Sequence, residues 1–105
     1  MSWTTICSLS DINPNAGVCA LLGEEQVAIF KVNGQIYAIG NKDPFSNANV
    51  LSRGIVGSLN DTLAVASPLY KQHFNLETGI CLEDETVSVP CYQVRTEGDL
   101  IQIAI

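Results

Sequence analysis

Residues 25–40, "EQVAIFKVNGQIYAIG", set two apolar runs on either side of Asn33 and Gly34. An Asn-Gly pair tolerates the positive φ angles of a type I′ turn, whose twist matches that of two antiparallel strands. A two-residue turn also fixes the register, so that Val32 faces Gln35 and Phe30 faces Tyr37. Period-two alternation then puts Ala28, Phe30, Val32, Tyr37 and Ile39 on one face, and Val27, Ile29, Ile36 and Ala38 on the other. Both faces are apolar. A chain built around such a hairpin must cover it from two sides, which places it inside a layered β structure.

The rest of the chain continues the theme. A second hairpin is predicted from "YQVRT", a turn about Glu97, Gly98 and Asp99, and "LIQIAI", with Ile101, Ile103 and Ile105 on one strand face. Shorter strands are expected at 4–7, 18–22, 54–58, 62–66 and 87–89, and another around Phe74 and Leu76, running into a turn at Glu77-Thr78-Gly79. "SLSDINP" holds a helical turn at most, and no stretch keeps helical spacing. The 105 residues suit one domain, 1–105. The predicted fold class is all-β, with two long segments that are not strand-like, 41–54 and 67–73. Loops of that length in a small domain usually carry function.

Composition closes off several classes of activity. Apolar residues make up 47% and charged residues 15%, enough for an ordered core. Five basic residues against eleven acidic ones give a net charge of −6, and no run of basic residues occurs. Nucleic acid and anionic membrane are therefore not expected as partners. The acidity keeps a small protein soluble, or steers a basic protein partner. "MSWTTICSLSDINP" has neither a basic start nor a long apolar run, so no signal peptide and no membrane span is expected. A cytoplasmic location follows, with Cys7, Cys19, Cys81 and Cys91 as reduced thiols. None forms a C-x-x-C pair, so each is expected to be a small buried hydrophobe, Cys19 in "VCALL" most clearly.

Candidate chemistry is sparse. A Rieske-type cluster takes two thiolates and two imidazoles. The chain has one histidine, His73, so it cannot supply that set alone. The cysteine spacings of plant-type clusters and of structural zinc are missing too. Ser67 precedes Pro68 with no glycine-rich elbow around it. His73 lacks any carboxylate that the sequence would place beside it, and is expected to face solvent. The consecutive acids of "LEDE", residues 82–85, read as a solvated turn rather than a cation site. No phosphate loop or dinucleotide fingerprint is present. No catalytic residue and no metal ligand is assigned.

Two stretches nevertheless resemble a known family, the Rieske-type ferredoxin domain. There one loop carries Cys-x-His and a second carries Cys-Pro-x-His, followed by an aromatic strand and a Thr-Gly turn. "SPLYKQHFNLETG", residues 67–79, keeps Pro68, Phe74, Leu76, Thr78 and Gly79 in step, with Ser67 at the Cys position and Tyr70 at the His position. "NKDPF" puts Asn41 and Asp43 at the other Cys and His positions. The resemblance thus implies a Rieske-like antiparallel sandwich or barrel whose loops remain while the four ligands have changed. Side chains of Asn, Asp, Ser and Tyr could restore part of the lost restraint by hydrogen bonds.

One branch of that family is similar along nearly the whole chain: the small subunits of assimilatory NAD(P)H-dependent nitrite reductase. "NKDPFSNANVLSRGIVG" is the most specific stretch. The resemblance implies no cofactor in this chain and a large partner subunit carrying FAD, siroheme and a [4Fe-4S] cluster, which reduces nitrite to ammonium. It also implies a docking role for the loop tips: Lys42, Asp43, Pro44 and Phe45, with Leu69, Tyr70, Lys71, Gln72 and His73. Two alternatives are a degenerate ferredoxin of another redox system, and a module binding a small ligand through Asp43, Tyr70 and His73.

Overall fold

The computed structural model describes residues 2–69 and 71–104. Its strands run in chain order as β1 (Trp3–Ser8), β2 (Ala16–Leu22), β3 (Glu25–Val32), β4 (Gln35–Gly40), β5 (Lys42–Asp43) and β6 (Ala48–Asn49). They continue as β7 (Ile55–Leu59), β8 (Thr62–Ala66), β9 (His73–Asn75), β10 (Cys91–Tyr92), β11 (Val94–Glu97) and β12 (Leu100–Ala104). Two short 3-10 turns, Leu9–Asp11 and Leu51–Arg53, are the sole helical elements among the described residues. The all-β expectation holds.

The Asn-Gly hairpin forms as the sequence predicts. Asn33 and Gly34 have φ of 52° and 78°, and Val32 pairs with Gln35 and Phe30 with Tyr37. β3 and β4 are the centre of a sheet ordered β10-β4-β3-β2. On one side, Ala28, Phe30, Val32 and Ile39 pack with Val65, Phe74, Leu76 and Cys81 from the β7-β8-β9 sheet and the segment after it. On the other side, Val27, Ile29, Ile36 and Ala38 pack with Ile101 and Ile103 of the β1-β12-β11 sheet and with Ile12. The central hairpin is thus the middle layer of three. That arrangement removes both of its apolar faces from water, which is the dominant favourable contribution to folding.

Several expectations need correction. The strand expected at 87–89 is absent; Ser88 makes an isolated bridge to Ile80. "YQVRT" is not one strand. Tyr92 belongs to β10 and pairs with β4, whereas Val94 begins β11 and pairs with β12. The chain changes sheet at Gln93, as happens at the corner of a sandwich. Residues 41–54 are not bare loop either: β5 and β6 form a two-residue ladder, followed by a 3-10 turn. Cys19 and Cys91 are exposed and Cys7 is half-buried; of the four thiols only Cys81 is buried. Cys19 fails because β2 is an edge strand whose Val18, Ala20 and Leu22 pack on the core, which turns Cys19 to the uncovered side. Ile101 and Ile103 are buried as expected, and Ile105 lies outside the described residues.

Candidate functional site

The two segments singled out in the sequence meet at one end of the sandwich. Asn41 directly follows β4 and is 1% exposed. Its side-chain amide donates to Gln26 Oε1 at 3.2 Å and to Cys19 Sγ at 3.3 Å, and its Oδ1 accepts from the Ser52 amide at 2.7 Å. The Asn41 backbone carbonyl accepts from the Leu51 amide at 3.0 Å. One residue thereby pins the start of the 41–54 segment to its far end.

Asp43, two residues on, is fully buried, and so is Ser67. The carboxylate bridges the segments. Its Oδ1 accepts from the Phe45 amide at 2.9 Å, an Asx turn that shapes the 43–47 bend. Its Oδ2 accepts a short hydrogen bond, 2.5 Å, from Ser67 Oγ. The second segment closes on itself: the Lys71 amide donates to the Ser67 carbonyl at 3.1 Å, and the Ser67 amide to the Gln72 carbonyl at 2.9 Å. Lys71 takes φ of +65° to make that closure. Phe45 and Phe74 meet with ring centroids 6.3 Å apart and planes tilted by 49°, which links the first segment to strand β9.

The carboxylate that the sequence did not offer to His73 is Glu83. His73 Nδ1 lies 2.6 Å from Glu83 Oε2, and the His73 backbone amide donates to Glu83 Oε1 at 2.7 Å. The expectation of a solvent-facing imidazole is corrected accordingly: the ring is half-buried and paired. Burial on its own would raise the Glu83 carboxyl, but the hydrogen bonds and charge of His73 outweigh it and hold the group below its ordinary range. The "LEDE" acids do form a turn, with Glu83, Asp84 and Glu85 exposed. No sequence signal pairs a residue of strand β9 with one ten positions on in the bend that follows.

The residues proposed for docking divide into two sets. Lys42, Pro44, Phe45, Leu69 and Lys71 are exposed, with Leu69 at 52% and Phe45 at 38%. Asp43 points inward and cannot be a contact residue. Gln72 and His73 are half-buried, and Gln72 Oε1 has no hydrogen-bond partner among the described residues. Tyr70 lies outside the described residues. Asp43 and His73 are engaged with Ser67 and Glu83 respectively. An open groove of about 560 Å³ runs beside the first segment, lined by Gln26, Asn41, Asn47, Asn49 and Pro90 among others. Among the described residues no three His, Cys, Asp or Glu side chains are placed to hold a metal ion. Nor is any helix long and apolar enough to cross a membrane.

Comparison with known proteins agrees with this architecture. The family described as "Rieske-like [2Fe-2S] domain" matches residues 2–104. The nitrite reductase (NADH) small subunit of Escherichia coli strain K12 is 50% identical over 103 residues, covering 96% of this chain and 95% of that one. The NMR structure of the Escherichia coli protein NirD superposes with a TM-score of 0.90 at 49% identity, covering 97% of this chain and 94% of that one. A nitrite reductase NAD(P)H large subunit from Klebsiella oxytoca is 40% identical over 101 residues, 96% of this chain and 11% of the large subunit. The same unit therefore occurs both as a small protein and as part of a much longer polypeptide. With its three-layer β core, its two bonded loops and these relatives along nearly its whole length, the chain belongs to the Rieske-like [2Fe-2S] domain family, among the small subunits of nitrite reductase.

Proposed function

We propose that this chain is the small subunit of a cytoplasmic NAD(P)H-dependent nitrite reductase of nitrate assimilation, and that it works by contact, carrying neither a cluster nor a catalytic group. Its partner is the large subunit, which binds FAD, siroheme and a [4Fe-4S] cluster and converts nitrite to ammonium. Identity of 50% to the small subunit of Escherichia coli supports the choice of partner.

The observation that carries the contact-only reading is the Asp43–Ser67 hydrogen bond. By the family resemblance these residues hold one ligand position in each loop. A Rieske-type cluster takes two thiolates and two imidazoles from its protein. The described residues at those positions offer a carboxylate and a hydroxyl bonded to one another, and an amide bonded to Gln26, Cys19 and Ser52. The one histidine is paired with Glu83. These groups do not fit a Rieske-type cluster. A ferredoxin role in another redox system would need that cluster and gains no support.

The test is co-purification and assay. The tagged chain is expected to retain the large subunit from nitrate-grown cells, and removing the chain lowers the activity or thermal stability of the large subunit. The chain itself stays colourless after anaerobic incubation with iron and sulfide. Two irons per chain with a Rieske paramagnetic signal would overturn the contact-only reading. Full activity and assembly of the large subunit without this chain would overturn the accessory role.

A further inference from the structure

Strand β7 is the outer strand of the β7-β8-β9 sheet, and one of its backbone edges has no neighbour. Its link to β8 is the two-residue turn Asn60-Asp61, with φ of 52° and 64°, closing on the Leu59–Thr62 pair. In such a hairpin the closing pair exchanges both hydrogen bonds, and bonded pairs then alternate with unbonded ones along the ladder. Leu59, Gly57 and Ile55 therefore bond to β8, while Ser58 and Val56 aim their amides and carbonyls away from it. β8 keeps the same alternation: the carbonyl of Leu63, opposite Ser58, accepts from the Leu76 amide at 3.0 Å on its far side. Among the described residues no backbone group outside the ladder bonds to Val56 or Ser58.

Proteins guard such an edge with charge, proline, a bulge or a covering segment. β1 has a bulge between Thr5 and Cys7, and β11 carries Arg95 and Glu97. β2 is uncharged but lies against the Leu51–Arg53 turn, where a Cβ on Gly17 would come within 2.7 Å of the Ser52 carbonyl. β7, Ile55-Val56-Gly57-Ser58-Leu59, has none of these devices. Ile55 is 73% exposed, Gly57 and Ser58 are exposed, and a Cβ on Gly57 would meet nothing within 4 Å.

The edge is complementary to itself. A two-fold axis through Gly57 sets Val56 opposite Ser58 of a second copy, and Ser58 opposite its Val56. Each outward amide then meets an outward carbonyl. Gly57 faces the other Gly57 in an unbonded pair, where Cα atoms approach to about 4.5 Å and no side chain stands between them. On the face shared with Gly57, Ile55 lies opposite Leu59, so the exposed isoleucine of each copy gains an apolar neighbour. Arg53 and Asp61 are both exposed and each stands four positions from Gly57. The axis therefore brings the end bearing Arg53 to the other copy's end bearing Asp61, and no other charged residue lies between positions 53 and 61.

We propose that β7 pairs antiparallel with β7 of a second copy of this chain, joining two three-stranded sheets into one of six strands. Ile55 and Leu59 are its apolar contacts, and Arg53 and Asp61 its terminal charges. Five residues from each copy make a small interface, so the pair forms at about 0.1–1 mM chain. The pairing does not depend on the small-subunit reading above.

The experiment combines sedimentation equilibrium with amide hydrogen exchange of the full chain up to about 1 mM, in ~0.15 M salt that screens the repulsion between two chains of net charge −6. The mass is expected to rise towards that of two chains. The Val56 and Ser58 amides gain protection as it does, while the Gly57 amide, already bonded to β8, stays as it was. Gly57→Lys sets like charges face to face across the axis and raises the dimer dissociation constant at least about tenfold. Ile55→Lys, at a residue of neither apolar core, acts in the same direction. Thermal melts matching the parent show that both variants are folded. A single-chain mass over the whole range overturns the proposal, as does a dimer that folded Gly57→Lys leaves intact. A dimer that protects other amides and not Val56 and Ser58 places the contact elsewhere and also overturns it. Protection of those two amides that appears only on adding the large subunit gives the edge to that protein, and the pairing of copies is then wrong.

Discussion

Replacing Ser67 with alanine probes the bond that joins the two loops. Ser67 Oγ donates to Asp43 Oδ2 at 2.5 Å, and both residues are fully buried. Hydrogen bonds to charged groups contribute about 1.5–3 kcal/mol each, and a buried acceptor left without its donor costs a further share of that order. The space left by one oxygen is smaller than the ~10–15 Å³ a water needs, so solvent cannot restore the bond. Asp43 keeps its Phe45 amide, which limits the damage. The expected loss is about 2–3 kcal/mol. With a urea m-value near ~1 kcal/mol/M, the unfolding midpoint falls by about 2 M, with m unchanged. In a thermal scan the same loss lowers Tm by about 10 °C or more.

Asp43→Asn supplies the control. Its amide oxygen can still accept from Phe45 while its NH2 donates to the Ser67 hydroxyl, so this variant loses less than Ser67→Ala. Combined in a double-mutant cycle, the two changes show a coupling of about 1–2 kcal/mol. A Ser67→Ala protein within ~0.5 kcal/mol of the parent, or additivity to that margin in the cycle, would refute the claim that this bond ties the loops together.

Two further outcomes follow from other contacts. Because the Glu83 carboxyl is held below its ordinary value of 4.5, its contribution is complete above that pH and disappears as pH falls through the lower folded value. The stability gap between the parent and Glu83→Gln therefore narrows from pH 7 to pH 3 in urea titrations, and a constant gap would contradict the His73–Glu83 pairing. Gly79 sits at φ of +80°, and a Cβ there would meet the Val89 carbonyl oxygen at 2.2 Å. Gly79→Ala costs at least about 2 kcal/mol in thermal melts, whereas Gly57→Ala, with open space around it, stays within ~0.5 kcal/mol.

The strands were legible in the sequence because two local rules bind them. Asn33-Gly34 dictates the turn, and alternation then sorts nine side chains of β3 and β4 onto the faces where the two core clusters hold them. The rules fail where their premises do. Cys19 obeys alternation but sits on an edge strand, whose partner layer covers only one side. Gln93 marks no break in composition, yet the chain changes sheet there. In "NKDPF" the buried positions Asn41 and Asp43 are both polar, so no hydrophobic alternation reveals that Lys42 points out and Asp43 in. Glu83 escaped for a related reason: its pairing with His73 depends on how the bend at 82–86 folds back on strand β9, which only the tertiary fold decides.

The Asp43–Ser67 hydrogen bond joins two loops that are each tied down separately. A single hydrogen bond holds little if the segments it joins are floppy. They are not floppy, because each is closed before they meet. Asn41 clamps the first segment to Leu51 and Ser52, and the Ser67–Lys71 and Ser67–Gln72 backbone bonds close the second. Joining two closed loops orders few additional residues, so the entropy opposing the Asp43–Ser67 bond is small. Ser67→Ala should then let the two loops shift against each other without unwinding either. In hydrogen exchange, the amides of Leu51 and Ser52, bonded within the first loop, stay protected relative to global unfolding, while the Phe45 amide beside the broken bond exchanges faster. Simultaneous loss of protection at Leu51, Ser52 and Phe45 would show instead that the inter-loop bond holds each loop together.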